Sequence, residues 1–205
     1  MTTPLTADAF RDVSGVSRET LDRLAAYEAL LRKWQASINL VGRSTLDDVW
    51  RRHILDSAQL VPLLPAGTRT LVDLGSGAGF PGLVLALMGV PDVHLVESDS
   101  RKCAFLREAA RVTATPVTVH NRRIEAVSPF PADAVTARAL APLGDLLAWA
   151  EPFLAAHTVA LFLKGQNLED ELTLATKSWK MSAERFPSAT DPNGTVLRVS
   201  GIARV

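Results

Sequence analysis

A doubly wound α/β fold with a mostly parallel sheet is predicted by three features of the sequence. Short apolar runs alternate with helical patterns from Thr68 onward; the first run breaks into a glycine-rich loop; and the chain ends on two extended segments joined by Asp191-Pro192-Asn193-Gly194. Residues 70–74, 93–97, 117–120, 134–137 and 159–163 read as strands. Their continuous apolar character suits strands covered on both faces. Residues 81–88, 101–112, 143–154 and 168–176 read as the intervening helices. Residues 181–186 and 196–205 read as an antiparallel hairpin, because Asp-Pro-Asn-Gly is a strong turn signal.

Ahead of this domain, taken as 66–205, residues 1–65 read as a helical extension packed on the core. Leu21, Leu24, Ala25, Tyr27, Leu30, Leu31 and Trp34 recur at helical spacing, while Arg23, Glu28, Arg32 and Lys33 face outward. A second helix is predicted from Thr45, as N-cap, through Trp50, His53, Ile54, Ser57 and Leu60, with Pro62 ending it. Ile38-Asn39-Leu40-Val41-Gly42 reads as a short apolar turn between the two.

Bulk properties narrow the function. Over 205 residues, Lys+Arg and Asp+Glu both total 22, so no strong basic excess advertises a nucleic-acid partner and any such contact must be local. Cys103 is the single cysteine, which excludes an internal disulfide and a cysteine zinc site. His53, His94, His120 and His157 match no metal-ligand spacing, so no metal is expected. The N-terminus carries no secretory pattern, and the apolar run 83–90 is far short of the roughly 20 residues a membrane span needs. A cytoplasmic, monomeric protein without a membrane partner is the expectation.

The most informative stretch is Asp73-Leu74-Gly75-Ser76-Gly77-Ala78-Gly79-Phe80-Pro81-Gly82, where the first strand hands over to the first helix. Ligands of doubly wound sheets bind beyond the carboxyl ends of the strands, and glycines let the backbone pass close to them. Two registers are open. Gly77, Gly79 and Gly82 spell the dinucleotide fingerprint G-x-G-x-x-G. Gly75, Gly77 and Gly79 spell G-x-G-x-G, with Gly75 directly after the strand. The second register also accounts for Asp73, whose carboxylate suits the ammonium of a methionine moiety and would repel a pyrophosphate. Pro81 offers no N–H to a phosphate. The methyl donor S-adenosylmethionine is therefore favoured over a nicotinamide cofactor.

Glu97 ends the second strand, where an acid can accept hydrogen bonds from both ribose hydroxyls; Asp99 is a nearby substitute. Ile124 and Glu125 follow the third strand and fit a loop flanking an adenine ring. Cys103 is a candidate nucleophile only in principle, since it lies within a predicted helix and reads as packed.

Together, Asn39-Leu40, His53-Ile54-Leu55-Asp56-Ser57, the glycine loop, Arg138-Ala139 and Leu163-Lys164-Gly165 make the chain resemble the bacterial small-subunit ribosomal RNA guanine-N7 methyltransferases, also called glucose-inhibited division protein B. The resemblance runs from about residue 30 to 165. It implies a class I, Rossmann-like methyltransferase fold, S-adenosylmethionine as co-substrate, and 16S rRNA or the small ribosomal subunit as partner. It places donor binding on Gly75, Phe80, Ile124, Glu125 and Arg138. Two departures are visible: Glu97-Ser98 stands where the family often has Asp-Ser, and Ala78 where it often has proline.

Guanine N7 carries an in-plane lone pair and no proton, so its methylation needs no general base, only alignment. The lack of an evident acid–base pair in the sequence agrees with this. Arg138 and Lys164 each end an apolar strand on the crevice side and are candidates for positioning substrate. Arg51-Arg52 and Arg122-Arg123 are candidates for phosphate contacts. Another acceptor for the methyl group, or a non-catalytic rRNA-binding assembly factor, remain the alternatives.

Overall fold

The apolar runs become β1 (Thr70–Leu74), β2 (Asp92–Glu97), β3 (Thr118–Asn121), β4 (Ala134–Arg138), β5 (Val159–Lys164), β6 (Trp179–Pro187) and β7 (Thr195–Arg204) of one seven-stranded sheet. These come from a computed structural model that describes residues 3–205. The strand order is β3-β2-β1-β4-β5-β7-β6, with β1 to β5 parallel and the terminal hairpin running antiparallel to β5. From β1 the chain winds outward to β2 and β3, then returns to the other side of β1 for β4 and β5. The reversal lies between β1 and β4, the place where such sheets open a crevice.

Helices cover both faces. On one side α1 (Ala7–Ser14), α2 (Arg18–Gln35), α4 (Gly82–Leu87) and α5 (Ser100–Val112) share a core with Leu71, Val93 and Leu95; α3 (Asp56–Ala58) contributes Ala58. On the other, α6 (Leu143–Ala150) and α7 (Leu168–Ala175) pack with Val72, Leu74 and Val96. The alternation along β1 follows from the period of two of a strand, and it puts Asp73 on the side of the N-terminal helices. Phe10, Leu24, Tyr27 and Leu31 of α1 and α2 are fully buried in the same cluster as Leu83 and Phe105, so the extension and the sheet domain share one core.

Local chemistry explains the helix ends. Ser17 caps α2 by accepting from the Thr20 N–H, and Asp99 caps α5 by accepting from the Arg101 and Lys102 N–H groups. Asp99 is thereby committed to capping rather than to standing in for Glu97. Thr6 and Gly15 bracket α1, a helix left undivided within the predicted helical region.

The predicted helix from Thr45 to Leu60 is broken. A 3₁₀ turn at Arg43–Asp48 leads into a π-helical turn at Trp50–Leu55 and then α3. Thr45 is no N-cap: its hydroxyl donates to the Gly42 carbonyl at 2.7 Å and meets His53 Nε2 at 2.7 Å. A side chain committed to a distant partner cannot cap its own helix, and the backbone departs from α geometry there. Pro152 similarly ends α6 early, and Glu151–Phe153 forms a 3₁₀ turn. Among the described residues no helix is long and apolar enough to cross a membrane, and no group of three metal-ligating side chains assembles.

Candidate active site

The glycine loop leaves β1 in a left-handed conformation, with φ of 65° at Gly75 and 57° at Gly77. Only glycine adopts these values without strain. At Gly75 space is short as well, since a Cβ would lie 2.6 Å from Leu140 Cδ1. The loop is pinned from three directions. The Ser76 N–H donates to the Val96 carbonyl at 3.0 Å, the Gly77 N–H donates to Glu97 Oε2 at 3.0 Å, and the Tyr27 hydroxyl of α2 donates to the Ala78 carbonyl.

Asp73 sits beneath this loop and not in the crevice. It is fully buried; Oδ1 accepts from the Thr136 hydroxyl at 2.7 Å, and Oδ2 has no hydrogen-bond partner among the described residues. Burial pushes its carboxyl up to about 6, against the opposing pull of the Thr136 hydroxyl. Asp73 lines none of the cavities at the loop; its carboxylate lies behind the glycine backbone. A Cβ on Gly82 would come within 2.6 Å of Asp73 Cβ, so Gly82 serves close packing of α4 on β1.

Two cavities flank the C-terminal end of β4. The first, of about 320 Å³, runs from Gly75 and Gly77 past Glu97 to Ile124, Glu125 and Trp149. Parallel pairing of β1 with β2 sets Leu74 beside Val96, which brings Glu97 alongside the start of the loop. Glu97 is nearly buried, with Oε2 accepting from Gly77 and Oε1 from the Asp99 N–H at 2.7 Å. Each oxygen retains a lone pair. Val96, Ile124 and Leu140 supply apolar wall. A further recess beside it, of about 260 Å³, joins Gly75 to Gly77 with Leu40, Val41 and Phe80. The Leu40–Val41 turn is held there by Gln35, whose Oε1 accepts from both backbone N–H groups. Gly79 lies behind the loop, where a Cβ would meet Leu83 and Leu106, and Phe80 packs between Tyr27 and His53.

The second cavity, of about 250 Å³, lies on the other side of β4. Three distant segments form it: Thr45, Arg52, His53 and Asp56 of the extension; Leu163 to Gly165 after β5; and Ser188 to Thr195 of the hairpin turn. The hairpin is tied to the extension by the Thr190 hydroxyl donating to Asp56 Oδ1 at 2.6 Å and the Ala189 N–H donating to Gln59 Oε1 at 2.8 Å.

Arg138 and Ala139 border both cavities and the recess. Arg138 Nη1 donates to His53 Nδ1 at 2.9 Å and to the Arg52 carbonyl at 3.2 Å, and lies 3.4 Å from Asp56 Oδ2. Its guanidinium carbon is 5.2 Å from the centre of the Phe80 ring. Ala139 has a φ of 49°, a strained value for a non-glycine residue placed at the junction.

The other predicted residues divide between the cavity walls and structural pairs. Lys164 Nζ is bound to Glu171 Oε2 at 2.5 Å and to the Ala141 carbonyl at 3.0 Å, with its side chain 8% exposed. Glu171 also accepts from the Leu143 N–H at 2.7 Å, so the ion pair fastens α7 to the start of α6. Arg51 pairs with Asp48 at 3.0 Å and reaches the Thr3 carbonyl, lining an apolar groove with Leu5 and Met88; it is separated from Arg52, which opens on the second cavity. Arg122 and Arg123 border the first cavity. Cys103 is buried, its thiol donating to the Glu97 carbonyl at 3.2 Å and pushed up by burial, which removes it as a nucleophile. Tyr27, Thr136 and Thr190 were not singled out from sequence: each acts through a partner at least fifty positions away, and no local pattern marks them.

The match of this chain to known proteins agrees with that geometry. The family model described as rRNA small subunit methyltransferase G matches residues 20–193. Ribosomal RNA small subunit methyltransferase G of Paramagnetospirillum magneticum is 67% identical over 191 residues, covering 93% of each chain. The Rhodospirillum centenum protein of the same name is 66% identical over 197 residues, 96% of this chain and 91% of that one. Among solved structures, M. jannaschii TYW2 in complex with AdoMet superposes with a TM-score of 0.60 at 15% identity, covering 83% of this chain and 80% of that one, a likeness of fold. With a family model spanning most of its length and relatives at two-thirds identity over nearly all of it, the chain belongs to the rRNA small subunit methyltransferase G family.

Proposed function

We propose that this protein transfers the methyl group of S-adenosylmethionine to N7 of a guanine in 16S rRNA of the small ribosomal subunit. The observation that carries the reading is the pair of cavities meeting at Arg138 and Ala139, one bounded by the glycine loop and Glu97, the other walled by extension and hairpin. The first suits an adenosyl amino acid. Glu97 has lone pairs left for two ribose hydroxyls, and Ile124 and Leu140 offer flat apolar contact to an adenine whose edge the backbone near Glu125 reaches. Gly75, Gly77, Gly79 and Phe80 shape the methionine end, and Arg138 closes it. When bound, the donor supplies a methyl group on a positively charged sulfur.

The chain's own work is alignment and exclusion of water. Guanine N7 needs no proton removed, which agrees with a junction where the one histidine, His53, has both ring nitrogens engaged. Asp73, as a charge behind the loop, favours a cationic ligand in front of it. Arg52 and Arg123 have no side-chain hydrogen bond among the described residues and Arg122 only a 3.4 Å one to the Ala126 carbonyl, so all three are available to phosphates at the mouths of the cavities. Arg51 and Lys164 are withdrawn from that role, since both are committed to ion pairs. The protein acts in the cytoplasm as a monomer, with residues 1–65 and 66–205 working as one unit.

The test is methyl transfer to small subunits isolated from cells lacking the protein, followed by mass mapping of the RNA. A single 7-methylguanosine dependent on the donor is the expected result. Methylation of protein alone, or of no component, would overturn the reading.

A further inference from the structure

We propose that His53 is a positioning residue: through Nδ1 it holds the Arg138 guanidinium across the boundary between the two cavities, so that the donors left on Arg138 meet an oxygen of one reactant. The inference rests on the methyltransferase reading above. It starts from the direction of the protons. A guanidinium has only donors, so the 2.9 Å contact between Arg138 Nη1 and His53 Nδ1 requires an unprotonated Nδ1. The neutral ring then carries its proton on Nε2 and donates it to Thr45 Oγ1 at 2.7 Å, and Thr45 in turn donates to the Gly42 carbonyl at 2.7 Å. Each link has one possible direction.

The ring cannot drift from this arrangement. It is 6% exposed and stacked on Phe80, with centroids 4.9 Å apart and planes 24° apart, and the same Phe80 ring supports Arg138. Burial and the facing charges of Arg138 and Arg52 lower the His53 imidazolium to about 3, and Asp56 stands beyond Arg138. The ring therefore stays neutral at physiological pH. With Nδ1 accepting and Nε2 donating, it has no free lone pair and cannot serve as a general base.

What remains is its effect on Arg138. All hydrogen bonds from Arg138 to described residues leave from Nη1, towards His53, the Arg52 carbonyl and Asp56. Nε and Nη2 have no such partner and neither is fully enclosed, and Arg138 lines both cavities. A guanidinium anchored by one nitrogen and open at the other two presents a fixed donor edge to an acceptor oxygen. Two reactants carry one at that place: the carboxylate of the methyl donor, and the guanine carbonyl next to N7.

Two substitutions separate anchoring from packing. In His53→Asn the amide oxygen can take the place of Nδ1 and still accept from Arg138, although the ring stack is lost. In His53→Gln the amide nitrogen can take the place of Nε2 and reach Thr45, leaving Arg138 only its longer contacts to the Arg52 carbonyl and Asp56. Single-turnover methylation of small subunits should fall about threefold or less in His53→Asn and about ten- to hundredfold in His53→Gln, the cost of one charge-assisted hydrogen bond. Calorimetry locates the oxygen. Weakened donor binding in His53→Gln points to the carboxylate; unchanged donor binding with a slower transfer step points to the guanine.

Equal losses in both variants, or none in either, would overturn the proposal, as would a rate ionisation between about pH 5 and 8 that disappears in His53→Asn, the mark of a general base. Should the wild-type protein bind the donor yet methylate no subunit, the functional reading fails by itself. The nitrogen NMR signals of His53 then still decide this proposal. An Nε2–H tautomer retained to acidic pH upholds it, and an Nδ1–H tautomer or ready protonation sinks it.

Discussion

The half of the sheet carrying β1 to β3 and the half carrying β4, β5 and the hairpin present cavities of similar size, but they are built by opposite means. The half proposed to hold the donor is dictated by backbone. Its loop depends on positive φ at Gly75 and Gly77, and on N–H groups held by the neighbouring strand and Glu97. The half proposed to hold the acceptor is dictated by side chains from three distant segments, joined by Asp56, Thr190, Gln59 and Arg138. One cradle tolerates almost no change in shape. The other tolerates change wherever its ties survive.

The sharpest break of this contrast is a glycine exchange in each half. A Cβ at Gly82 would sit 2.5 Å from Leu95 Cδ2, 2.6 Å from Asp73 Cβ and 2.8 Å from Asp73 Oδ2. Gly82→Val should cost on the order of 3 kcal/mol or more and eliminate donor binding, because strand and helix must separate to admit it. Gly165 borders the acceptor cavity with nothing within 4 Å of an added Cβ. Gly165→Ala should change stability by about 0.5 kcal/mol or less. Urea unfolding of both variants checks the pair, and similar losses in the two would show that the halves do not differ in this way.

Asp73 gives a second, smaller effect confined to the donor half. Its folded carboxyl, at about 6, lies above the ordinary 3.8, so the folded protein holds a proton that the unfolded chain has released. Stability associated with this group is full below about pH 4 and is lost as pH rises through about 6. The penalty of ionisation at neutral pH is about 3 kcal/mol at most, from about two pH units. Asp73→Asn keeps the shape without the charge. Its stability relative to wild type should therefore rise between pH 4 and pH 7 in denaturant titrations, while donor affinity falls. A difference that stays flat across that range would mean that Asp73 ionises as easily as it does in water.

This division also explains what could be read in the sequence. The order of strands and helices, the glycine register and the position of Glu97 follow from local patterns: apolar runs, glycine spacing and one strand–helix–strand unit. Asp73 was legible as a residue but not in orientation, because the alternation of β1 had to be set against the N-terminal helices before its burial showed. Lys164 and Arg51 looked available because their partners, Glu171 and Asp48, carry no sign of pairing in one dimension. The break in the helix after Thr45 follows from the same cause: its hydroxyl was assigned to the nearest N–H groups, and the fold gives it to His53.

A third, smaller loss tests the half carrying the second cavity alone. Thr190 Oγ1 donates to Asp56 Oδ1 at 2.6 Å and meets Ser188 Oγ at 3.1 Å, joining the hairpin turn to the extension. Thr190→Val preserves volume and removes the hydroxyl, leaving Asp56 with Gln59 and the longer contact to Arg138. The loss should be about 1–2 kcal/mol, that of a hydrogen bond to a charged group in a half-buried site. Because the turn walls only the second cavity, the KM for small subunits should rise while the affinity for S-adenosylmethionine, measured by calorimetry, stays the same. Equal weakening of both would mean that the cavities are coupled through Asp56 and Arg138 strongly enough to behave as one site, and the two halves would then differ in construction but not in function.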